Sequence, residues 1–436
     1  MSFSPTSHLP MLFTGTPSTV PNQPWSPTSG KTSDSPDVPL ENIPLIAFCH
    51  LGWDWVWQRP QQFLSRLART HPVLFVESHF SDITTGVSKL HPARGHPAVI
   101  VLEMHLPEAR TSEAAFIDAE RRRLLRQALT GPLAGRFDHA ILWFNDPMTV
   151  TAFARQLGER LIVYDCMDEL AQFHGAPPLL IERERELTRI ADVIFCGGRK
   201  MRDKRLPLNP NCHFYGTGVD CAHFGTALND DLSVAPEIAT LPGPVLGYFG
   251  VVDERMDYEL LAKLADAFPQ GSVAIVGPFA KVDPAHFPRR PNLHWLGGRP
   301  YAELPAITKG FSVCLMPFAI NAATEYINPT KALEYMAAGK PVVATALDEI
   351  RTNFNAVALV AKTHDEFIAC CRKEALRPSA SHIRRGLQLA RQNSWEAIIA
   401  RMEGHIAQAL REQENAAVSH TIPPPIPSLT SKRAYV

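Results

Sequence analysis

Several things are scarce or missing in this 436-residue chain, and each closes a class of function. Its 8 cysteines (Cys49, Cys166, Cys196, Cys212, Cys221, Cys314, Cys370 and Cys371) include no C-x-x-C pair, so neither a zinc ribbon nor a thioredoxin-like motif is indicated. Cys49, Cys196 and Cys314 sit inside apolar runs, where a free thiol acts as a small hydrophobe. A reducing cytoplasm fits this usage. No apolar run approaches the ~20 residues that span a bilayer, and no basic segment followed by an apolar core reads as a secretory leader. Membrane contact, if any, is expected to be peripheral. Neither sign of charge is in excess: 43 Lys and Arg face 44 Asp and Glu, a formal net charge of −1. General nucleic-acid binding needs a strong positive field, so no such partner is expected. No Asp-x-Asp pair occurs, and no metal site is evident.

What remains is a globular composition, 45% hydrophobic and 20% charged, on a chain too long for one ordinary core. Two domains are the default. Residues 1–43 are rich in Pro, Ser and Thr and read as a disordered tail, as do residues 413–436, which include Pro423-Pro424-Pro425. Between them, apolar runs alternate with helical patterns. The first series is Pro44–Cys49, a helix over Gln58–Arg69, Val73–Val76, Ala98–Leu102, an Arg-rich helix over Ser112–Leu129, His139–Trp143, Leu161–Tyr164 and Val193–Cys196. The second is Val245–Phe249, Val273–Val276, Leu293–Leu296, Val313–Met316, Val342–Ala344 and Ala358–Val360. Such β-α-β alternation implies parallel sheets covered on both faces. The polar stretch Asp230–Gly243 divides two Rossmann-like units, 44–235 and 236–380, and a terminal helix over 381–412 follows. Ligands in such folds bind at the carboxyl ends of the strands.

One segment concentrates chemistry. In Asn328-Pro329-Thr330-Lys331-Ala332-Leu333-Glu334-Tyr335-Met336-Ala337, a loop leads into a short helix. Gly339 sits at a C-cap position, and Pro341 ends the helix before the Val342-Val343 strand. Lys331 and Glu334 lie on one helix face. A cation and a carboxylate beside a helix N-terminus can hold a phosphate and a sugar hydroxyl together; an ordinary αβ unit with two solvated charges fits the same pattern.

Three motifs then carry a resemblance. Pro329–Ala344 resembles the "P-x-K-x-x-E-x-M-A-x-G-x-P-V-V-A" element of the family called glycosyl transferases group 1. Asn292–Tyr301 is similar to its "N-V-x-F-L-G-x-x-P-Y" turn, and Gly218-Val219-Asp220 with Phe224 to its "G-V-D-x-x-x-F" element. Trp57-Gln58-Arg59-Pro60-Gln61-Gln62 and Tyr164-Asp165-Cys166-Met167-Asp168 resemble a bacterial sub-branch of exopolysaccharide and cell-envelope enzymes, including teichuronic-acid types. The resemblance implies an α/β GT-B fold, two Rossmann-like domains with a cleft between them and a long C-terminal helix. It implies transfer of a sugar, with retention, from a nucleotide-diphosphate sugar to a glycan or lipid-diphosphate-linked acceptor. No cofactor or catalytic metal is implied. A nucleotide-sugar epimerase and a non-catalytic partner subunit are the competing readings on this fold.

The same resemblance assigns roles. Glu334 would take the ribose hydroxyls, Lys331, Thr330 and Arg255 the diphosphate, and the backbone at Gly298 the base. The family's earlier glutamate falls here on Tyr326, so Glu325 and Asn328 are both candidates for the donor sugar. For the acceptor side, polar residues after strand ends are the candidates: His50 with Gln58 and Arg59 for binding, and Asp54, Asp146 and Asp168 for acid–base work. Each aspartate reads equally as a turn or N-cap residue. Trp53, Trp55 and Trp57 could stack on sugar rings or simply pack. The basic stretches Arg121-Arg122-Arg123 with Arg126, and Arg199-Lys200 with Arg202, Lys204 and Arg205, could meet anionic lipid headgroups or be solvated helix faces.

Overall fold

The computed structural model describes residues 40–55, 57–172, 176–280, 282–320, 324 and 330–421. Of the tails expected at 1–43 and 413–436, residues 1–39 and 422–436 lie outside the described residues, as do the donor-sugar candidates Glu325 and Asn328; residues 413–421 continue the last helix instead of a tail.

Two sheets form, because two series of apolar runs must each bury both faces. The first joins β1 (Leu45–Cys49), β2 (Val73–Ser81), β3 (Val87–Ala93), β4 (His96–Pro107), β5 (Ile141–Phe144), β6 (Leu161–Cys166), β7 (Val193–Cys196) and β8 (Cys212–Phe214), in the order β3-β4-β2-β1-β5-β6-β7-β8. All neighbours are parallel except β3 and β4, an antiparallel hairpin. The second joins β9 (Val245–Phe249), β10 (Ser272–Val276), β11 (Leu293–Trp295), β12 (Val313–Met316), β13 (Val342–Thr345) and β14 (Leu359–Ala361), in the order β11-β10-β9-β12-β13-β14, all parallel. The central strands β1, β5, β6, β9 and β10 are buried along their whole length, as continuous apolar sequence demands.

The C-terminal helix expected at 381–412 is two helices, Ala380–Gln392 and Trp395–Thr421. The first packs on the Thr330–Ala337 helix of the second unit, with Met336 against Gly386. The second returns to the first unit. Trp395, Ile398, Met402, Ile406 and Leu410 share its core with Phe63, Trp143 and Phe195. The chain thus crosses between units twice, and the crossings are bonded to each other: Val219 N–H donates to the Asn393 carbonyl (3.0 Å) and Trp395 N–H to the Val219 carbonyl (3.2 Å). Among the described residues, no helix is long and apolar enough to cross a membrane.

The basic stretches are largely absorbed by the fold. Arg121 is buried and donates to the Met148 carbonyl. Arg122 donates to the carbonyls of Thr151 and Ala152, and Arg123 pairs with Glu120. Arg199 lies over the Phe214 ring, while Arg202, Lys204 and Arg205 pair with Asp203, Glu169 and Glu184. Arg123, Arg126, Lys200 and Lys204 stay exposed, so the solvated-face reading holds for part of each stretch, while Arg121 and Arg205 are buried.

Candidate active site

A cleft of about 1020 Å³ separates the two units. Its second-unit wall carries Thr330, Glu334 and Tyr301; its first-unit wall carries Gln58, Arg59, Met167 and Asp168; the 216–220 crossover and Trp395 form part of its lining.

The second wall is built by the Thr330–Ala337 helix. Its inward residues Leu333, Tyr335 and Met336 are buried, and Tyr335 pins it to the end of β9, its hydroxyl accepting from the Phe249 N–H at 3.0 Å. Gly339, at φ +69°, takes the left-handed C-cap that the sequence suggests. This orients Glu334 toward the cleft, where no described protein group donates to its carboxylate. Burial raises the Glu334 pKa, and the nearby Lys331 charge offsets this in part. Tyr301 stacks on His223 (centroids 4.3 Å apart, 14°). Burial and the carboxylates of Glu334 and Asp220 push its hydroxyl pKa up. Lys331 leans on the loop after β9: a Cβ at Gly250 would collide with the Lys331 Cε and lie 3.0 Å from its Nζ. Gly250 has φ +145°, a backbone conformation that L side chains rarely adopt.

Lys331 itself is not part of the cleft lining, and neither are the remaining donor candidates. Arg255 is in the same loop, but its guanidinium is held by Asp253, with Nε 2.9 Å from both carboxylate oxygens. It does not line the cleft, and its charge is partly neutralised in place. Gly298 faces Pro278 rather than the cleft; the residue of that turn that reaches the cleft is Tyr301.

On the first-unit wall the candidates separate. Asp168 lines the cleft, with a pKa raised by burial and held back in part by His50 and Arg59. Asp146 is buried and caps the short 147–149 helix, accepting from the Met148 N–H at 2.9 Å, so the acid–base expectation gives way to an N-cap. Asp54 is exposed on a loop and does not line the cleft. His50 is exposed at the end of β1, its Nδ1 3.2 Å from the Asn145 carbonyl. Gln58 lines the cleft at the start of the Arg59–Leu67 helix, its backbone N–H donating to Gln61 Oε1 at 3.1 Å. Arg59 also lines it, but as a clamp. Nε donates to Asp165 Oδ1 (2.9 Å) and Nη1 to the carbonyls of Tyr215 (2.6 Å) and Gly216 (3.1 Å). The guanidinium fastens the end of β6 to the crossover, a structural role beside the acceptor-phosphate one expected of it.

Sequence reasoning missed several wall residues. Gln62, Ser65, Arg66 and Arg69 lie on the cleft side of the Arg59–Leu67 helix and its end, a stripe that helical spacing could have shown. His96 and Trp395 come from remote segments and carry no local signal.

Comparisons with known proteins fit this geometry. Residues 243–373 match the family model described as Glycosyl transferases group 1. A candidate teichuronic acid biosynthesis glycosyltransferase of Bacillus subtilis (strain 168), TuaH, is 27% identical over 235 residues, which is 50% of this chain and 58% of that protein's length. Among solved structures, HepE of Anabaena in complex with UDP and glucose aligns over 84% of this chain and 100% of its own at TM-score 0.56 and 13% identity. The α,α-trehalose 6-phosphate synthase of Burkholderia multivorans does so over 86% and 100% at TM-score 0.57 and 12% identity. Sucrose-phosphate synthase from Thermosynechococcus elongatus aligns over 86% and 100% at TM-score 0.55 and 14% identity. The two sheets, the intervening cleft and the returning C-terminal helix are the GT-B fold that these structures share, and residues 243–373 are similar to the group 1 glycosyl transferase model.

Proposed function

We propose that this protein transfers a sugar, with retention, from a nucleoside-diphosphate sugar to a glycan or lipid-linked acceptor in surface polysaccharide synthesis. The observation that carries this reading is the Glu334 carboxylate, without a partner among the described residues, one helical turn from the N-terminus of the Thr330–Ala337 helix, on the wall of a cleft between two Rossmann-like units. Breaking the anomeric C–O bond leaves negative charge on the diphosphate. The free N–H groups of that helix's first turn and the Lys331 ammonium are suited to meet it. Glu334 can accept both hydrogen bonds of the ribose diol. Arg255, held by Asp253, supplies a weaker, more distant field. On the acceptor side, Asp168 is the candidate aspartate that lines the cleft, and its raised pKa suits a group that exchanges protons.

UDP in complexes of HepE supports a uridine nucleotide as the first donor to test. The similarity to TuaH supports the cell-envelope sub-branch. We place the protein in the cytoplasm, against the inner face of the membrane if the acceptor is lipid-linked; the eight free cysteines are consistent with a reducing compartment. Titration of the purified chain with UDP, GDP, ADP and dTDP, followed by nucleotide release from the matching sugar donors, tests the proposal. Binding of one nucleotide that weakens in Glu334→Gln is expected. Binding of none would overturn it, and conversion of the donor sugar to its epimer without an acceptor would point to the epimerase reading.

A further inference from the structure

The cleft does not end at the transfer site. It continues along the Arg59–Leu67 helix, past Gln62, Ser65 and Arg69, to the β3–β4 turn at Gly95 and His96. At about 1020 Å³ it stands at the top of the range for a pocket holding one small ligand, roughly 300–1,000 Å³. A donor nucleotide held at Glu334 and Lys331 leaves the far arm open.

The chemistry of that arm is distinctive. Trp57 is 43% exposed, and its ring lies 4.7 Å from that of His96 at 31°. Trp53 is buried behind the pair, edge-on to Trp57 at 5.8 Å and to Phe75 at 5.2 Å. The result is a supported aromatic platform with one face in the cleft. Polar side chains, Gln58 and Ser65, line the way to it. Two arginines flank it. Arg66 is committed to Glu396 (2.7 Å) and Asp220 (3.1 Å). Arg69 is exposed and has no carboxylate partner among the described residues. Burial and the two arginines lower the His96 pKa, so its ring is neutral at pH 7. An aromatic face, hydroxyl-sized polar partners and one free cation, continuous with a sugar-transfer site, match a pyranose chain bearing a carboxylate.

We infer that this arm is a binding track for the acceptor's glycan chain, that it stacks a ring on Trp57 several units back from the sugar being extended, and that Arg69 meets an acidic group on that chain. The inference rests on the glycosyl-transfer reading and extends it: the acceptor is an acidic oligosaccharide rather than a single sugar.

Calorimetric titration of the full chain with a hyaluronan hexasaccharide (alternating glucuronate and N-acetylglucosamine), its disaccharide, maltohexaose and UDP tests this. The acidic hexasaccharide should bind, and the disaccharide at least about tenfold more weakly. Trp57→Ala and Arg69→Ser should each lower hexasaccharide affinity roughly tenfold, with UDP affinity as the control for folding. Trp57→Phe, which keeps a ring, should remain within about threefold. Maltohexaose binding as tightly would overturn the acidic assignment. Hexasaccharide affinity indifferent to both variants, or no oligosaccharide binding by a chain that binds UDP, would overturn the track and leave the donor reading standing. A wild-type chain that binds none of UDP, GDP, ADP and dTDP and no oligosaccharide would overturn the glycosyl-transfer reading itself.

Discussion

Glu334→Gln is expected to do two opposite things, and their combination is what the structure argues for. No described protein group donates to the Glu334 carboxylate, which leaves it open to the hydroxyls of the proposed nucleotide. An amide offers one acceptor oxygen and no charge. Loss of a charge-assisted bond weakens binding by about 1.5–3 kcal/mol, which is roughly 10- to 150-fold in Kd. In the empty protein the sign reverses. Burial raises the Glu334 pKa above its unfolded value, with Lys331 offsetting only part of this. The stability linked to that proton is present below the unfolded pKa and is lost as pH rises through the folded one. At pH 7.5, above the ordinary carboxylate range, the fold must either bury the charge or hold the proton, and the neutral amide should stabilise the unliganded chain by about 0.5–2 kcal/mol. That gain should fade toward pH 4, where the wild-type carboxyl is itself protonated. Urea unfolding at pH 7.5 and pH 4, paired with calorimetric titration of UDP, measures both. An unchanged nucleotide affinity in a folded variant would remove Glu334 from the site. A variant less stable than wild type at pH 7.5 would refute the electrostatic account.

Other outcomes follow from the same contacts. Lys331→Ala should slow a single turnover by about 10²–10³-fold, and Arg255→Ala by clearly less, because Asp253 already holds that guanidinium; equal losses would show that Arg255 leaves Asp253 for the diphosphate. Arg59→Ala should destabilise the chain by about 3–5 kcal/mol, since it strands the fully buried Asp165, and urea unfolding with only a small loss would contradict the clamp. His213 stacks on His405 of the C-terminal helix at 3.6 Å, and burial and that neighbour hold its pKa down to about 4 from 6.5. The unfolded chain therefore takes up a proton first as pH drops from 6.5 toward 4, and the fold should lose about 1–2 kcal/mol there, a value reduced for solvent screening of a part-exposed ring. His213→Phe should flatten that pH dependence, and an unaltered slope would place the acid sensitivity elsewhere.

Much of this architecture was legible locally. Stretches such as Leu45–Cys49, Leu161–Tyr164 and Val245–Phe249 are buried on both faces, so they read as unbroken apolar runs without knowledge of their neighbours. The β3–β4 hairpin was not read, because the edge strand β3 is largely exposed and its Val-Ser-Lys-Leu-His-Pro-Ala sequence has no core face to betray it. In the site the same division holds. Thr330, Lys331 and Glu334 fall within one helical turn, so their shared face follows from helix geometry alone. The fates of Arg59 and Asp146 could not be read that way. The Arg59 partner Asp165 lies 106 residues along the chain, and Asp146 had an N-cap and a cleft as equally good destinations until the packing of Arg121 and Met148 around it was known. The aromatic platform joins Trp57 to His96 through a turn that bends over the sheet, and the C-terminal helix abandons the unit that precedes it for the core of the first. Local pattern determines which residues must be buried and which face of an element they share. Which distant surface satisfies them is decided by the whole chain at once, because each charge and ring takes the partner that leaves the fewest others unpaired.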